Sequence, residues 1–192
     1  MTSKPHPPLP HVSKPSNIKD LGPIDIAQLK SLVLKLSENV WNRENESKEN
    51  KYFCFHHTRH IVFRFITANQ DPRKGYSNPI WQVWKPQLLP IFEAACSSYG
   101  FQNPFYPKVM LARLAAGHVI DRHVDGAGSN LLTHKIHIPI QTNPLALFHS
   151  ENDSYYLEEG RAYEVNNVKA HGVENLGQED RIHLIFEVFD NA

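Results

Sequence analysis

Cysteine is almost absent from this sequence: two in 192 residues, Cys54 and Cys96, far apart and without partners at metal-ligand spacing. A disulfide framework is therefore not indicated, and a reducing compartment is the simpler expectation. An excess of either charge is lacking too. Lys+Arg and Asp+Glu number 20 each, with no basic block. Phosphate-backbone binding needs a positive surface, so no nucleic acid is expected as the main partner. No stretch approaches the length of a membrane span, and the opening MTSKPHPPLPHVSKPS has no apolar signal core. The expectation is a soluble, cytoplasmic protein with no membrane partner. Internal repeats are absent as well.

What is present suits one globular domain with a full core: 41% hydrophobic and 21% charged residues over 192 positions. Residues 1–23 carry six of the 14 prolines, mixed with Ser and Lys, and read as an extended tail or a strap over the domain at 24–192. Ile26, Leu29, Leu32, Val33, Leu36 and Val40 recur at helical steps, with Asp25 placed to cap the start. The polar run at 42–51 reads as a surface loop, and 56–66 as a strand. A second helix is expected over about 79–99, ended by Gly100. Its Trp81 and Trp84 could form a substrate-stacking pair, although tryptophans in such a pattern are more often core.

After Phe101 the chain breaks into short strands, roughly at 106–115, 118–123, 133–141, 145–149, 154–158, 161–166 and 180–189, with turn residues between them. Helices first and strands later suggest a mainly β fold with buttressing helices. The expected architecture is a double-stranded β-helix, the cupin-like jelly roll.

Histidine is the unusual count: 12, of which seven lie between 118 and 183. His123 and Asp125 form a His-x-Asp pair; residues i and i+2 of a strand share one face, so both could grip one ion, and Gly126-Ala127-Gly128 then lets the chain turn away. His171 stands alone downstream, and Arg181 follows ten residues later. Two imidazoles and one carboxylate on one face of a metal leave the opposite positions open, as in non-haem Fe(II) oxygenases. In the strand from Arg181, Ile182, Leu184, Phe186 and Val188 alternate with Arg181, His183, Ile185, Glu187 and Phe189. If the first set packs on the helices, Arg181 faces a cavity, where its planar fork suits a carboxylate such as that of 2-oxoglutarate. Lys135 and His137 alternate likewise with Ile136, Ile138 and Ile140, and are candidates for the other end of the same co-substrate. Each residue alone has a duller reading: a polar strand end, a surface histidine, an exposed salt-bridging arginine.

The stretches KVMLARLAAGHVIDRHVD, KIHIPI, EEGRAYEVNNVKAHGVEN and RIHLIFEV resemble the aspartyl/asparaginyl β-hydroxylase family, which also contains hydroxylases of free proline and arginine. The resemblance covers roughly Tyr106 to Phe189. It implies a double-stranded β-helix using Fe(II), 2-oxoglutarate and O2. His123 and His171 fall on the family's iron-binding histidines, and Arg181 on its arginine for the distal carboxylate. His137 and Lys135 fall on a histidine and an arginine that handle the proximal end. Three features depart from the animal enzyme: Asp125 is present where that enzyme lacks the third ligand, Lys135 replaces arginine, and Ala112 replaces a serine near the co-substrate.

The reaction so implied hydroxylates an amino-acid side chain, with succinate and CO2 released. The substrate, whether a free amino acid, a peptide or a protein, stays open, and substrate-reading residues are expected on loops 67–79 and 126–133. A retained Asp125 speaks against halogenation, which needs that coordination position for halide. The competing classes are a cupin-like metalloenzyme that is not an oxygenase and a non-catalytic ligand-binding jelly roll.

Overall fold

The computed structural model describes residues 7–48, 51–68 and 70–192. Sequence expectations that fall on 1–6, 49, 50 and 69, including Pro5 and His6 of the tail and parts of both polar loops, lie outside the described residues. In chain order the elements are β1 (Ile18–Pro23), α1 (Ala27–Val33), α2 (Glu38–Glu46), β2 (Thr58–Ile66), β3 (Gly75–Ser77), α3 (Ile80–Cys96), β4 (Pro104–Phe105), β5 (Val109–Leu114), β6 (His118–His123), β7 (His134–Gln141), β8 (Ala146–Ser150), β9 (Asp153–Tyr156), β10 (Arg161–Val165), β11 (His171–Asn175) and β12 (Arg181–Asp190).

The strands form two antiparallel sheets. The larger runs β1-β10-β7-β12-β5-β2-β3, with β4 paired to β12; the smaller runs β6-β11-β8-β9. The fold is a double-stranded β-helix, a jelly roll with helices laid against the larger sheet. Period-2 alternation divides that sheet's residues between two sides. Ile136, Ile138 and Ile140 of β7 and Ile182, Leu184, Phe186 and Val188 of β12 join Leu29, Val33, Trp41, Leu88 and Phe92 in the helix-side core. A smaller cluster between the sheets contains Leu114, Ile120, Phe148, Tyr163, Val165 and Val173. No helix among the described residues is long and apolar enough to cross a membrane.

Three sequence readings change. The expected helix from Ile24 divides, because Ser37 adopts an extended conformation and accepts the N–H of Val40 to begin α2. The expected loop at 42–51 is helical through Glu46, since α2 buries Trp41. The strand list omitted 171–175, which form β11 between β6 and β8. Trp81 and Trp84 are both core residues of α3, not a stacking platform. Asp25 does accept the N–H of Ala27 (3.0 Å) at the start of α1. Gly100 ends the second helical region at φ +67°, a left-handed conformation that glycine adopts without a Cβ clash. Pro86 and Pro90 lie inside α3 but on its exposed side, where water can reach carbonyls deprived of a donor.

The proline-rich segment runs as a strap. Val12 N–H donates to Leu131 O (2.9 Å), and the segment continues into β1, which pairs with β10.

Candidate metal centre

A cavity of about 540 Å³ opens between the sheets. His123, Asp125, His171, Lys135, His137 and Arg181 all line it. Pairing of β6 with β11 sets His171 directly opposite His123. The register shifts between His171 and Val173, and the residue there is Gly172. A Cβ at Gly172 would lie 3.0 Å from Ile120 O and 3.3 Å from Arg122 Cα, so a side chain there would press the two histidine-bearing strands apart by a few tenths of an ångström. Asp125 lies beyond the end of β6. It is placed by its own N–H, which donates to Asn167 O (3.0 Å), and not by the strand pleat that the sequence suggested.

The two imidazoles are held alike. His123 Nδ1 donates to Asp121 O (2.7 Å) and His171 Nδ1 to Lys169 O (2.9 Å), which turns both Nε2 lone pairs toward the cavity. Phe148 stacks on the His171 ring and Phe55 meets the His123 ring edge-on. One ligand atom from each of His123, Asp125 and His171 lies within 4.8 Å of the others, and these three make the one such group among the described residues. His123 Nε2 is 3.7 Å from Asp125 Oδ1. This donor set, two imidazoles and a carboxylate grouped on one side, fits a hard-to-borderline divalent ion such as Fe(II).

Electrostatics divide the cavity. Burial would raise the Asp125 carboxyl, but Lys135 (2.5 Å from Oδ2), His171 and the Asn167 amide outweigh it and hold the carboxyl well below the usual range. Burial pushes His171 down to about 4, the neutral, ligating form at neutral pH. Arg181 is 2% exposed and its Nη2 donates to His183 Nδ1 (2.9 Å). Among the described residues no carboxylate pairs with it, and burial lowers it to about 9. Both ring nitrogens of His137, also buried, lack a partner among the described residues. A buried cation and an unsatisfied imidazole on one wall call for an anionic, hydrogen-bonding ligand.

The structure therefore brings together every sequence-named site residue. It adds three that the sequence reading passed over. His60 of β2 lines the cavity and is pushed down to about 3 by burial, with Lys48 and Lys135 adding to the shift. Lys108 and Glu187 form a buried pair (3.1 Å) in the cavity wall. Strand parity already placed Glu187 on the Arg181 face; His60 and Lys108 had no comparable signal. Ala68, Gly126 and Asn130, from the two loops expected to read substrate, also line the wall.

Residues 82–191, more than half of the chain, match the family model described as Aspartyl/Asparaginyl beta-hydroxylase. A solved oxidoreductase of the 2OG-Fe(II) oxygenase family from Burkholderia pseudomallei is similar in fold, with TM-score 0.57 and 12% identity over 86% of this chain and 78% of that one. The viral collagen prolyl hydroxylase of Paramecium Bursaria Chlorella virus-1 gives TM-score 0.49 and 8% identity over 90% and 96%. A cupin domain from Bordetella pertussis gives 0.35 and 18% over 45% and 91%. No curated protein matches the chain at a significant level.

Proposed function

The chain belongs to the aspartyl/asparaginyl beta-hydroxylase family, and on that premise we propose that it is an Fe(II)- and 2-oxoglutarate-dependent dioxygenase. Its substrate would be an amino-acid side chain of aspartyl/asparaginyl or prolyl type, free or in a peptide or protein. One double-stranded β-helix domain over 24–192 would carry the activity.

In this reading His123 Nε2, Asp125 Oδ1 and His171 Nε2 hold Fe(II) from one side and leave the cavity side for co-substrate. Bound there, Fe(II) with 2-oxoglutarate and O2 supplies the oxidation that places one oxygen atom on a substrate carbon and the other in succinate, as CO2 leaves. Arg181 takes the distal carboxylate of 2-oxoglutarate in its planar fork, with His183 bracing the guanidinium. His137 and Lys135 meet the proximal end. Apolar walls from Phe55, Met110, Ile120 and Phe148 restrict water around the reacting atoms.

The observation that carries this reading is the coexistence, in one cavity, of a three-donor metal face and a buried arginine lacking a carboxylate partner. A cupin metalloenzyme working without a dicarboxylate has no use for that arginine. The test is succinate formation from 2-oxoglutarate by anaerobically Fe(II)-loaded protein, with and without a pool of amino acids and peptides. Substrate-stimulated succinate that disappears in His123→Ala supports the reading. Iron-loaded protein that neither binds nor consumes 2-oxoglutarate sinks it.

A further inference from the structure

The metal-ligating reading leaves one question: which oxygen of Asp125 faces the metal, and what decides it. Two donors meet Oδ2: Lys135 Nζ at 2.5 Å and Asn167 Nδ2 at 3.1 Å. Oδ1 is the oxygen directed at His123 Nε2, 3.7 Å away. Asn167 is fully buried, at 0% exposure, in the turn just before His171. Its amide group also donates to Asn130 Oδ1 (3.2 Å). Its own Oδ1 accepts from Lys14 Nζ (2.8 Å), and the same ammonium reaches Thr133 O (2.6 Å).

An ammonium has three protons and no lone pair, so Lys14 can meet only the oxygen end of the Asn167 amide. That contact dictates the amide's orientation and turns its NH2 toward Asp125. Two acceptors, Asp125 Oδ2 and Asn130 Oδ1, meet the NH2 end, so with the ammonium removed the amide is held from that end only and its oxygen loses its charged donor. Lys14 sits in the proline-rich strap, far in sequence from every candidate ligand. Other bonds anchor the strap beside the same turn: Asn166 Nδ2 donates to Pro15 O (2.8 Å), and Asn166 N–H to Asn17 O (2.8 Å).

We propose that Lys14 and Asn167 are positioning residues of the metal centre: Lys14 orients the Asn167 amide, which with Lys135 holds Asp125 Oδ2 and leaves Oδ1 for the metal. The strap is thus a working part of the centre. The inference rests on the reading of His123, Asp125 and His171 as metal ligands. Partners one shell beyond a ligand commonly change metal affinity on the order of 10–100-fold when removed.

The test is anaerobic Co(II) titration of the full chain by calorimetry, with the visible d–d absorption of the bound ion as a second readout, alongside thermal melting. Asn167→Ala is expected to weaken Co(II) binding on the order of tenfold or more and to alter the d–d bands. Lys14→Met should act in the same direction by a smaller factor, and Lys14→Arg, which keeps the donors, should restore most of it. Leu184→Ala removes a fully buried side chain from the helix-side core and touches neither the strap nor Asp125. It should lower the melting temperature without changing Co(II) affinity or spectrum. Should Lys14→Met not fold, Asn167→Ala and Lys14→Arg carry the test. The proposal is overturned if folded Lys14→Met and Asn167→Ala bind Co(II) with wild-type affinity and spectrum, for the strap would then be a brace of the fold alone. If wild type and His123→Ala bind Co(II) alike, the metal centre itself falls, and this inference with it.

Discussion

The two faces of β7 and β12 are made by the same strands with opposite contents. On the helix side Ile136, Ile138, Leu184, Phe186 and Val188 are entirely buried among apolar neighbours. On the cavity side His137, Arg181, His183 and Glu187 are nearly as buried and Lys135 is half-buried, yet both histidines keep ring nitrogens without a partner and Arg181 has no carboxylate partner among the described residues. Apolar burial stabilises by roughly 25 cal/mol per Å², whereas an unpaired buried charge or polar atom costs stability. One face therefore stabilises the sheet and the other draws on that stability, holding polar groups in place before any ligand arrives. The difference shows where to look for function: in burial that makes no sense as packing.

The sharpest way to break the comparison is on the stabilising face. Leu184→Ala removes a fully buried side chain and should cost about 2–5 kcal/mol in urea unfolding, while the folded variant keeps wild-type affinity for 2-oxoglutarate. A cost under about 1 kcal/mol would mean that this face does not carry the core. The second change is on the other face. Arg181→Met should leave the ligand-free protein as stable as wild type or more so, because a buried charge is exchanged for an apolar chain of similar length. The same variant should lose about 2–4 kcal/mol of 2-oxoglutarate binding in calorimetric titration. Unchanged affinity would remove the arginine from the co-substrate site.

The effect smallest at neutral pH is the pH dependence of the polar wall. His60 is held neutral, its pKa lowered from 6.5 to about 3 by burial and by Lys48 and Lys135. In the unfolded chain it takes up a proton near 6.5, in the folded one only near 3. Its contribution to stability is therefore full above about pH 6.5 and is lost as pH falls through that window. The slope from one such group is about 1.4 kcal/mol per pH unit while only the unfolded chain is protonated. His60→Asn should flatten stability against pH between those limits; an unaltered slope would show that this histidine is not buried neutral.

Much of this was legible before the structure. The alternation along 181–189 assigned both faces of β12 correctly, because side-chain direction in a strand is a local backbone property. The same parity sent Lys135 and His137 to the cavity. Less was legible where a long-range contact overrode the local pattern. The strand β11 was hidden because its five residues include Gly172 and three polar side chains, and only pairing with β6 and β8 makes it a strand. Asp125 does join His123 and His171, but the backbone of Asn167 places it there and not the strand pleat. Proline content described the strap as extended but said nothing of where Lys14 would end.

By itself, then, the sequence determined the class of fold and the buried and cavity-facing sides of β7 and β12, and it named the groups now proposed for a metal and a dicarboxylate. Only the tertiary structure decided that His171 stands opposite His123, that Asp125 turns one chosen oxygen toward them, and that Lys14 reaches across to Asn167. The reason is range. Periodicity and turn chemistry act over a few residues, but ligand geometry is set by strand pairing and buried hydrogen bonds between segments far apart in the chain, and those form only when both partners are held in the folded state.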